Sequence, residues 1–253
     1  MAGTIVRADE EKLGDSNRLR SPNFKSEETF HIRGRPIPPK ANLDLMKQWM
    51  QFCGSEHHEC RTPTLTVSKT QSIRLIDVQE HKIILTSSAK DYVALSYVWG
   101  PTTAPLLTRE TLSQYSATNG LKDAIIPRTI SDAMGLVRDL GTRYLWVDSL
   151  CIVQDDDDDK KQQLPMMGSI YNCAELLILA ATGSDAHAGL YSTQNTKRRE
   201  PQPIEEVDGI PFTTAQPPAQ ETLMWTTWNR RGWTFQEAIL SRRVLIFTDG
   251  QVY

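Results

Sequence analysis

Hydrophobic patterning is weakest at the amino end of the chain and strongest after residue 92. Residues 1–40 are polar and charged and have no sustained apolar period, which predicts an extended or mobile arm. Residues 43–52 repeat apolar side chains at helical spacing, and residues 73–86 carry two short apolar runs separated by polar residues 79–81. The sequence therefore predicts a short amphipathic helix and a β-hairpin ahead of the main domain.

From residue 92 onward, short apolar runs alternate with segments of helical period. The runs predict four buried strands, at residues 92–97, 144–147, 176–181 and 244–248. Helical spacing predicts the intervening helices, at residues 127–140, 166–174 and 230–240. Repetition of strand, helix and strand implies parallel strands and right-handed crossovers. The chain is therefore predicted to form an open parallel α/β sheet with helices on both faces.

Changes in composition and in hydrophobic patterning along the chain define three regions. Residues 1–40 form the predicted arm, residues 41–90 hold the helix and hairpin extension, and residues 91–253 hold the α/β domain. Within that domain, residues 183–220 are polar and rich in proline, which predicts a long excursion between the third strand and the last helix.

Composition excludes several classes of function. The net charge of −3 is close to neutral, which argues against a dedicated nucleic-acid binder. No apolar run approaches the roughly 18 residues of a membrane helix, and the polar amino end shows no secretory signal. With four cysteines and no such signal, we expect a reduced, cytoplasmic setting without disulfides.

Candidate ligand-binding residues follow the first two predicted strands of the domain. In open α/β sheets, ligands bind outside the carboxyl ends of parallel strands. Five residues are expected to meet there: Ser96, Tyr97, Trp99, Gly100 and Asp148. Their hydroxyls, aromatic rings, glycine turn and carboxylate suit the binding of a nucleotide and its sugars. An alternative role for Asp148 is to cap the following segment. The glycine-rich phosphate motifs of dinucleotide-binding folds and P-loop enzymes are absent, which disfavours both classes.

A second group of candidates surrounds Glu237. Trp233 precedes it by four residues in a predicted helix, and residues at this spacing share a helix face. A glutamate beside an aromatic ring can stabilise a developing cation, which cleavage of a glycosidic bond with a good leaving group requires. The alternative is a buried tryptophan and a surface glutamate. Arg231 could bind a pyrophosphate, or it could form an ordinary ion pair.

Several long motifs resemble, in order, those of the fungal heterokaryon-incompatibility (HET) domain. They occupy residues 92–100, 126–133, 143–155, 167–174 and 231–240. The resemblance implies a cytoplasmic protein that triggers cell death on non-self recognition. It also implies homo-oligomers formed through the domain and an upstream receptor or allelic partner protein.

The HET domain is more remotely similar to TIR (Toll and interleukin receptor) domains, which have a flavodoxin-like parallel sheet. Some TIR domains cleave NAD+ with a glutamate that follows a tryptophan-cysteine pair; here Thr234 stands in place of the cysteine. This resemblance implies that Glu237 is catalytic, that NAD+ is a substrate rather than a cofactor, and that no metal takes part. With NAD+ as the substrate, the candidate contacts named above become its expected binding residues: Ser96, Tyr97, Trp99, Gly100, Asp148, Arg231 and Trp233. Two other functions stay open: a non-catalytic homotypic interaction module, and a nucleotide-binding switch without turnover.

The extension contains one possible metal-binding pattern. Cys53, His57 and Cys60 could supply three zinc ligands, but their spacing fits no standard zinc finger and no fourth ligand is evident. The sequence therefore favours a cysteine-containing helix end that packs on the domain, without zinc.

Overall fold

The computed structural model describes residues 5–8, 33–34, 36–63, 72–86, 90–101, 106–191, 193, 196–198 and 202–253. For residues 5–8, 33–34 and 235 it describes the backbone. The described strands are β1 (Ile5–Ala8), β2 (Arg33–Gly34), β3 (Ile73–Asp77), β4 (Lys82–Thr86), β5 (Tyr92–Ser96), β6 (Tyr144–Trp146), β7 (Leu176–Ala180), β8 (Ile204–Val207), β9 (Ile210–Thr214) and β10 (Val244–Phe247). The described α-helices are α1 (Leu43–Glu56), α2 (Arg109–Ser116), α3 (Arg128–Leu140), α4 (Asp148–Cys151), α5 (Asp157–Gln163), α6 (Met167–Cys173), α7 (Ala219–Met224) and α8 (Thr234–Leu240).

A six-stranded sheet with the order β10-β7-β5-β6-β3-β4 forms the centre of the protein. The strands β10, β7, β5 and β6 run parallel, whereas β3 and β4 are antiparallel additions at one side. Numbered along the chain, the four parallel strands have the order 2-1-3-4, which is the flavodoxin-like arrangement. The predicted α/β fold class is therefore confirmed.

Burial explains why the two central strands are almost wholly apolar. Every residue of β5 and of β7 is buried, because helices cover both faces of a parallel sheet. Val93 of β5 lies in register with Leu145 of β6 on one side and with Leu176 of β7 on the other. Trp146, at the end of β6, is fully buried and packs edge-on against Tyr171 of α6 with ring centroids 5.3 Å apart.

Helix α3 shows how local sequence sets the crossover between β5 and β6. Its buried face includes Ile130, Ala133 and Val137, at the spacing of one helix face. Pro127 occupies the N-cap position, and Gly141 ends the helix in the left-handed conformation with φ of 90°. Both helix boundaries were predicted from the sequence to within one residue.

Strand order places the helices on opposite faces of the sheet. Because β6 and β7 lie on opposite sides of β5, right-handed crossovers place α3 on one face and α6 on the other. Helix α8 packs against α6 on the second face, and Gly168 lies at this contact. A Cβ atom on Gly168 would lie 3.1 Å from Leu240 Cδ1 and 3.2 Å from Gln236 Nε2. The absent side chain therefore allows α8 to approach α6 closely.

The structure differs from the sequence-based expectations in three places. The predicted hairpin β3–β4 pairs with β6 and so extends the central sheet, a pairing that the sequence did not predict. The excursion after β7 contains the hairpin β8–β9, whose turn residues Asp208 and Gly209 both have positive φ. An Asp-Gly pair between apolar runs is a strong hairpin signal that was overlooked. Helix α8 begins at Thr234 instead of residue 230, because residues 228–230 form a separate 3₁₀ turn.

The amino-terminal arm contributes to a second, smaller sheet. Strand β1 pairs with β9 and with β2, giving the order β2-β1-β9-β8. Most of the predicted arm lies outside the described residues. Across the described part of the chain, no helix combines the length and apolarity needed to cross a bilayer.

The central sheet provides a direct test of the packing. Leu145 is fully buried in β6, whereas Leu85 on the edge strand β4 is 66% exposed. We expect Leu145→Ala to lower the free energy of unfolding by about 2–5 kcal/mol, because it removes buried methyl groups and leaves a cavity. The matched change Leu85→Ala should shift it by less than about 0.5 kcal/mol. Urea denaturation measures both values, and equal losses would contradict this strand assignment.

Candidate active site

Glu237 lies beneath the surface, in hydrogen-bond contact with the end of β5. Its side chain projects from the first turns of α8, and the residue is 2% exposed. Glu237 Oε2 accepts a hydrogen bond from the hydroxyl of Ser96, the last residue of β5. The close packing of α8 on α6 therefore places a carboxylate at the carboxyl end of the central strand.

Trp228 fixes the direction of this hydrogen bond. Its indole Nε1 lies 2.7 Å from Ser96 Oγ, and an indole N–H can only donate. Ser96 Oγ therefore accepts from Trp228 and directs its single proton to Glu237. The result is a buried chain of hydrogen bonds that runs from an indole, through a hydroxyl, to a carboxylate acceptor.

The ring of Trp228 also packs at the gap beyond the carboxyl ends of β5 and β7. It is 3% exposed and packs in one apolar cluster with Val98, Leu179 and Ala181. In flavodoxin-like sheets, this gap between the first and third parallel strands is where ligands bind. Trp228 was missed from the sequence, which contains Trp225, Trp228 and Trp233 within nine positions and no periodic signal to distinguish them.

Asp148 forms the second acidic position of the site. It lies two residues after the end of β6 and opens α4, where its Oδ1 accepts a hydrogen bond from the backbone N–H of Ser149 at 2.8 Å. The indole Nε1 of Trp99 donates to both carboxylate oxygens of Asp148, at 3.0 and 2.9 Å. This carboxylate therefore connects the turn after β5 with the turn after β6.

Tyr97 and Arg231 link the two acids. The hydroxyl of Tyr97 donates to Ser149 Oγ at 2.9 Å, and its backbone carbonyl accepts a hydrogen bond from the Arg231 guanidinium. The positive charge of Arg231 favours the ionised forms of both Glu237 and Asp148 and so acts to lower the pKa of each. Arg231 is thus the described cation that partly balances the two carboxylates.

Burial dominates the electrostatics of the site. Burial, and after it the nearby charge of Glu237, raises the pKa of Asp148 to about 7. Burial also raises the pKa of Glu237, although the Ser96 hydroxyl and Arg231 oppose that rise. Two interacting acids with raised pKa values are typical of functional sites, because a stable fold has no need of them.

Gly100 makes the close turn after β5 possible. Its φ of 69° lies in the left-handed region, and a Cβ atom there would come within 2.3 Å of Asp185 Cβ. Beside it, the backbone N–H of Ala186 donates to the carbonyl of Trp99 at 3.1 Å. Gly100 therefore allows the loop after β7 to close against the turn after β5.

Trp233 does not lie where the sequence placed it. The expectation was an aromatic platform on the same face as Glu237, but Trp233 is 63% exposed whereas Glu237 is buried. Trp233 occupies the N-cap position, ahead of the first residue of α8, so its side chain projects from the preceding loop instead of from the buried helix face. The alternative of a surface glutamate is also wrong.

Comparison with protein families gives one match. The family model described as heterokaryon incompatibility protein (HET) matches residues 92–237, which is more than half of the chain. The chain belongs to the heterokaryon incompatibility family. No curated protein and no solved structure matches it. HET membership implies a role in heterokaryon incompatibility and the associated cell death.

The limits of the HET match coincide with the site. The match begins at Tyr92, the first residue of β5, and ends at Glu237. The hydrogen bond from Ser96 to Glu237 spans 141 positions and thus joins the two ends of the HET region. Both elements that build the site are therefore contained in the family region.

The raised pKa of Asp148 predicts a pH dependence of stability. Between about pH 4 and pH 7 the folded state retains a proton on Asp148 that the unfolded state has lost, so this carboxyl makes the fold less stable as pH rises. At about 1.4 kcal/mol per pKa unit, the loss across this window is of the order of 2–4 kcal/mol. We expect Asp148→Asn to remove that loss.

Urea denaturation at about pH 5 and about pH 8 measures this difference in wild type and variant. The control is Asp158→Asn, because the side chain of Asp158 is 92% exposed. An identical pH dependence in wild type and Asp148→Asn would show that the pKa of Asp148 is not raised in the folded state.

The indole N–H of Trp228 can be tested separately from its ring. Trp228→Phe keeps an aromatic ring in the gap but removes the donor to Ser96, so we expect a loss of about 1–2 kcal/mol in the free energy of unfolding. Trp225→Phe is the matched control, because Trp225 is 66% exposed. Circular dichroism during urea denaturation measures both variants. If the two changes have the same small effect, the hydrogen-bond chain contributes nothing to stability.

Proposed function

We propose that this HET domain cleaves NAD+ at the nicotinamide-ribose bond, as an effector of cell death in non-self recognition. The observation that carries the proposal is the position of Glu237, hydrogen-bonded to Ser96 at the carboxyl end of the central strand. In a flavodoxin-like sheet this is the edge at which nucleotides bind. The remote resemblance to NAD+-cleaving TIR domains also supports the proposal.

The chemistry of NAD+ cleavage suits a site with a carboxylate and no separate proton donor. Nicotinamide is cationic while it is attached to the ribose, so it leaves as a neutral molecule and needs no general acid. The protein must instead stabilise positive charge that develops on the ribose. The carboxylate of Glu237 would supply that stabilisation, either electrostatically or through the ribose hydroxyls.

Neighbouring groups would assist this reaction in distinct ways. Arg231 favours the ionised form of Glu237 and could pair with a phosphate of the dinucleotide. The hydroxyls of Ser96 and Tyr97 are buried and bonded to Glu237 and Ser149, so they could bond a ribose only by exchanging those partners, and Asp148 could accept from a ribose hydroxyl. Trp99 and the turn at Gly100 would form the wall of the nucleotide site. Trp233, at the surface, could contact the substrate only after a rearrangement.

Access to Glu237 requires such a rearrangement. The carboxylate is 2% exposed, and Trp228 fills the gap between β5 and β7 through which a nucleotide would approach. Displacement of the 3₁₀ turn at residues 228–230 would open this gap and expose Glu237 at the same time. We propose that homo-oligomer assembly in the cytoplasm, prompted by a receptor or allelic partner protein, drives this displacement.

One observation favours a second function, a non-catalytic interaction module. Several large apolar side chains near α7 and α8 are at least 60% exposed, and these are Met224, Trp225, Trp233 and Ile239. Exposed apolar patches are typical of protein-protein contacts. In this alternative, Glu237 is a structural acid that holds α8 on β5, and homotypic contacts carry the signal.

Nicotinamide release by wild-type protein and by Glu237→Gln separates the two functions. Glutamine keeps an oxygen that can accept from Ser96, so the fold should persist while the charge is lost. The loss of one preorganised electrostatic contact costs about 2.7–4 kcal/mol of barrier, so we expect turnover to fall at least about 100-fold. The control is Glu221→Gln, which changes an exposed acid in α7.

The assay must span a wide range of protein concentration, because assembly would control access to the site. Full turnover by Glu237→Gln would remove the catalytic assignment. Absence of nicotinamide at every concentration would favour the interaction module if NAD+ does not bind, and a nucleotide-binding switch if NAD+ binds tightly without product.

A further inference from the structure

Three metal-binding side chains meet at the end of α1, outside the site around Glu237. The ligand atoms of Cys53, His57 and Cys60 all lie within 4.8 Å of one another. Cys53 belongs to the last turn of α1, His57 is the C-cap residue, and Cys60 ends the 3₁₀ turn that follows. Neither thiol is in a disulfide.

Backbone hydrogen bonds produce this convergence. The N–H of His57 donates to the carbonyl of Cys53 at 3.1 Å, and the N–H of Cys60 donates to the carbonyl of His57 at 3.2 Å. Two successive turns therefore fold residues 53–60 back on themselves. The spacing of the three residues, which matches no standard zinc finger, is explained by this double turn.

The cluster is held in place by the two arginines that precede β10. The Arg242 guanidinium donates to the carbonyls of Cys60 at 3.0 Å, Arg61 at 2.9 Å and Asn172 at 2.9 Å. The thiol of Cys60 donates in return to the carbonyl of Arg242 at 3.4 Å. The guanidinium contacts of Arg242 thus fix the cysteine turn to the chain between α8 and β10 without a metal, whereas the hydrogen bond from the Cys60 thiol would be lost when Cys60 binds zinc as a thiolate.

Arg243 places a positive charge beside one of the two sulfurs. Arg243 Nε lies 3.2 Å from Cys53 Sγ and donates a hydrogen bond to it. An arginine beside a metal-bound sulfur would act as an outer hydrogen-bond donor that orients the ligand.

We propose that Cys53, His57 and Cys60 bind one zinc ion, with water in the fourth position. Two thiolates and an imidazole are ligands that zinc prefers, whereas magnesium and calcium require oxygen. The missing fourth protein ligand does not exclude a site, because zinc is also bound by three protein ligands and a water. His57 is exposed and both cysteines are partly exposed, so an ion can enter from solvent.

The geometry requires little movement. With bonds of about 2.0–2.3 Å, ligand atoms around a tetrahedral zinc lie roughly 3.3–3.8 Å apart. The three ligand atoms already lie within 4.8 Å of one another, so each pair would have to close by no more than about 1.5 Å. Each thiol that binds as a thiolate releases its proton to solvent. The bound ion would tie α1 to the turn that contacts Arg242 and Arg243, and so to the carboxyl side of α8.

Metal analysis of the purified full chain tests the proposal directly. We expect one zinc per chain by mass spectrometry of the metal content when chelators are left out of purification. After zinc is stripped, titration with Co2+ should give the thiolate charge-transfer band and the visible bands of tetrahedral cobalt, and Zn2+ should abolish both. This titration uses wild-type protein, so it does not depend on whether a variant folds.

Variants locate the site. Cys60→Ser and His57→Ala should each remove stoichiometric zinc and the cobalt bands. Cys173→Ser and His58→Ala should retain both, because these residues lie outside the cluster. No zinc and no cobalt band in wild-type protein would overturn the proposal. A disulfide between Cys53 and Cys60, seen as the loss of two hydrogens in the intact mass, would also overturn it.

Discussion

The hydrogen bond between Ser96 and Glu237 is the constraint on which the arrangement of this domain depends. It joins the central strand to the last helix, across 141 positions of the chain. A buried carboxylate is costly unless it is paired, so α8 must hold Glu237 against Ser96 if the helix is to pack there. The indole of Trp228 completes the chain of bonds, and its ring covers the gap between β5 and β7.

This arrangement places two acidic side chains and one basic side chain close together at one end of the sheet. Two acids with raised pKa values share the neighbourhood of one guanidinium, that of Arg231. An apolar pair in place of Ser96 and Glu237 would satisfy packing with less desolvation, so stability alone does not account for the acids. Both residues of the pair lie inside the region that matches the HET family.

The segment after α8 connects this site to the rest of the structure. Asn172 of α6 donates to the carbonyl of Leu240, and Ser241 donates to the carbonyl of Glu237, so the end of α8 is fixed from two sides. Arg242 and Arg243 then contact the cysteine turn after α1. A displacement of α8 would therefore also displace the cysteine turn, and a rigid cysteine turn would oppose that displacement.

Local sequence determined the regular part of the fold. Apolar runs and helical spacing predicted β5, β6, β7, β10 and α3, and the glycine after α3 marked the end of that helix. These features were predictable because they depend on the residue types within one short segment. Order of motifs along the chain was enough to identify the HET family. Only the tertiary structure decided that Trp228, and not Trp233, joins the buried acid, through the hydroxyl of Ser96. The pairing of the β3–β4 hairpin with β6, and the proximity of Cys53, His57 and Cys60, were also visible only in the tertiary structure. Periodicity shows which face of an element is apolar, but the partner that satisfies a buried polar group is chosen by packing between distant segments.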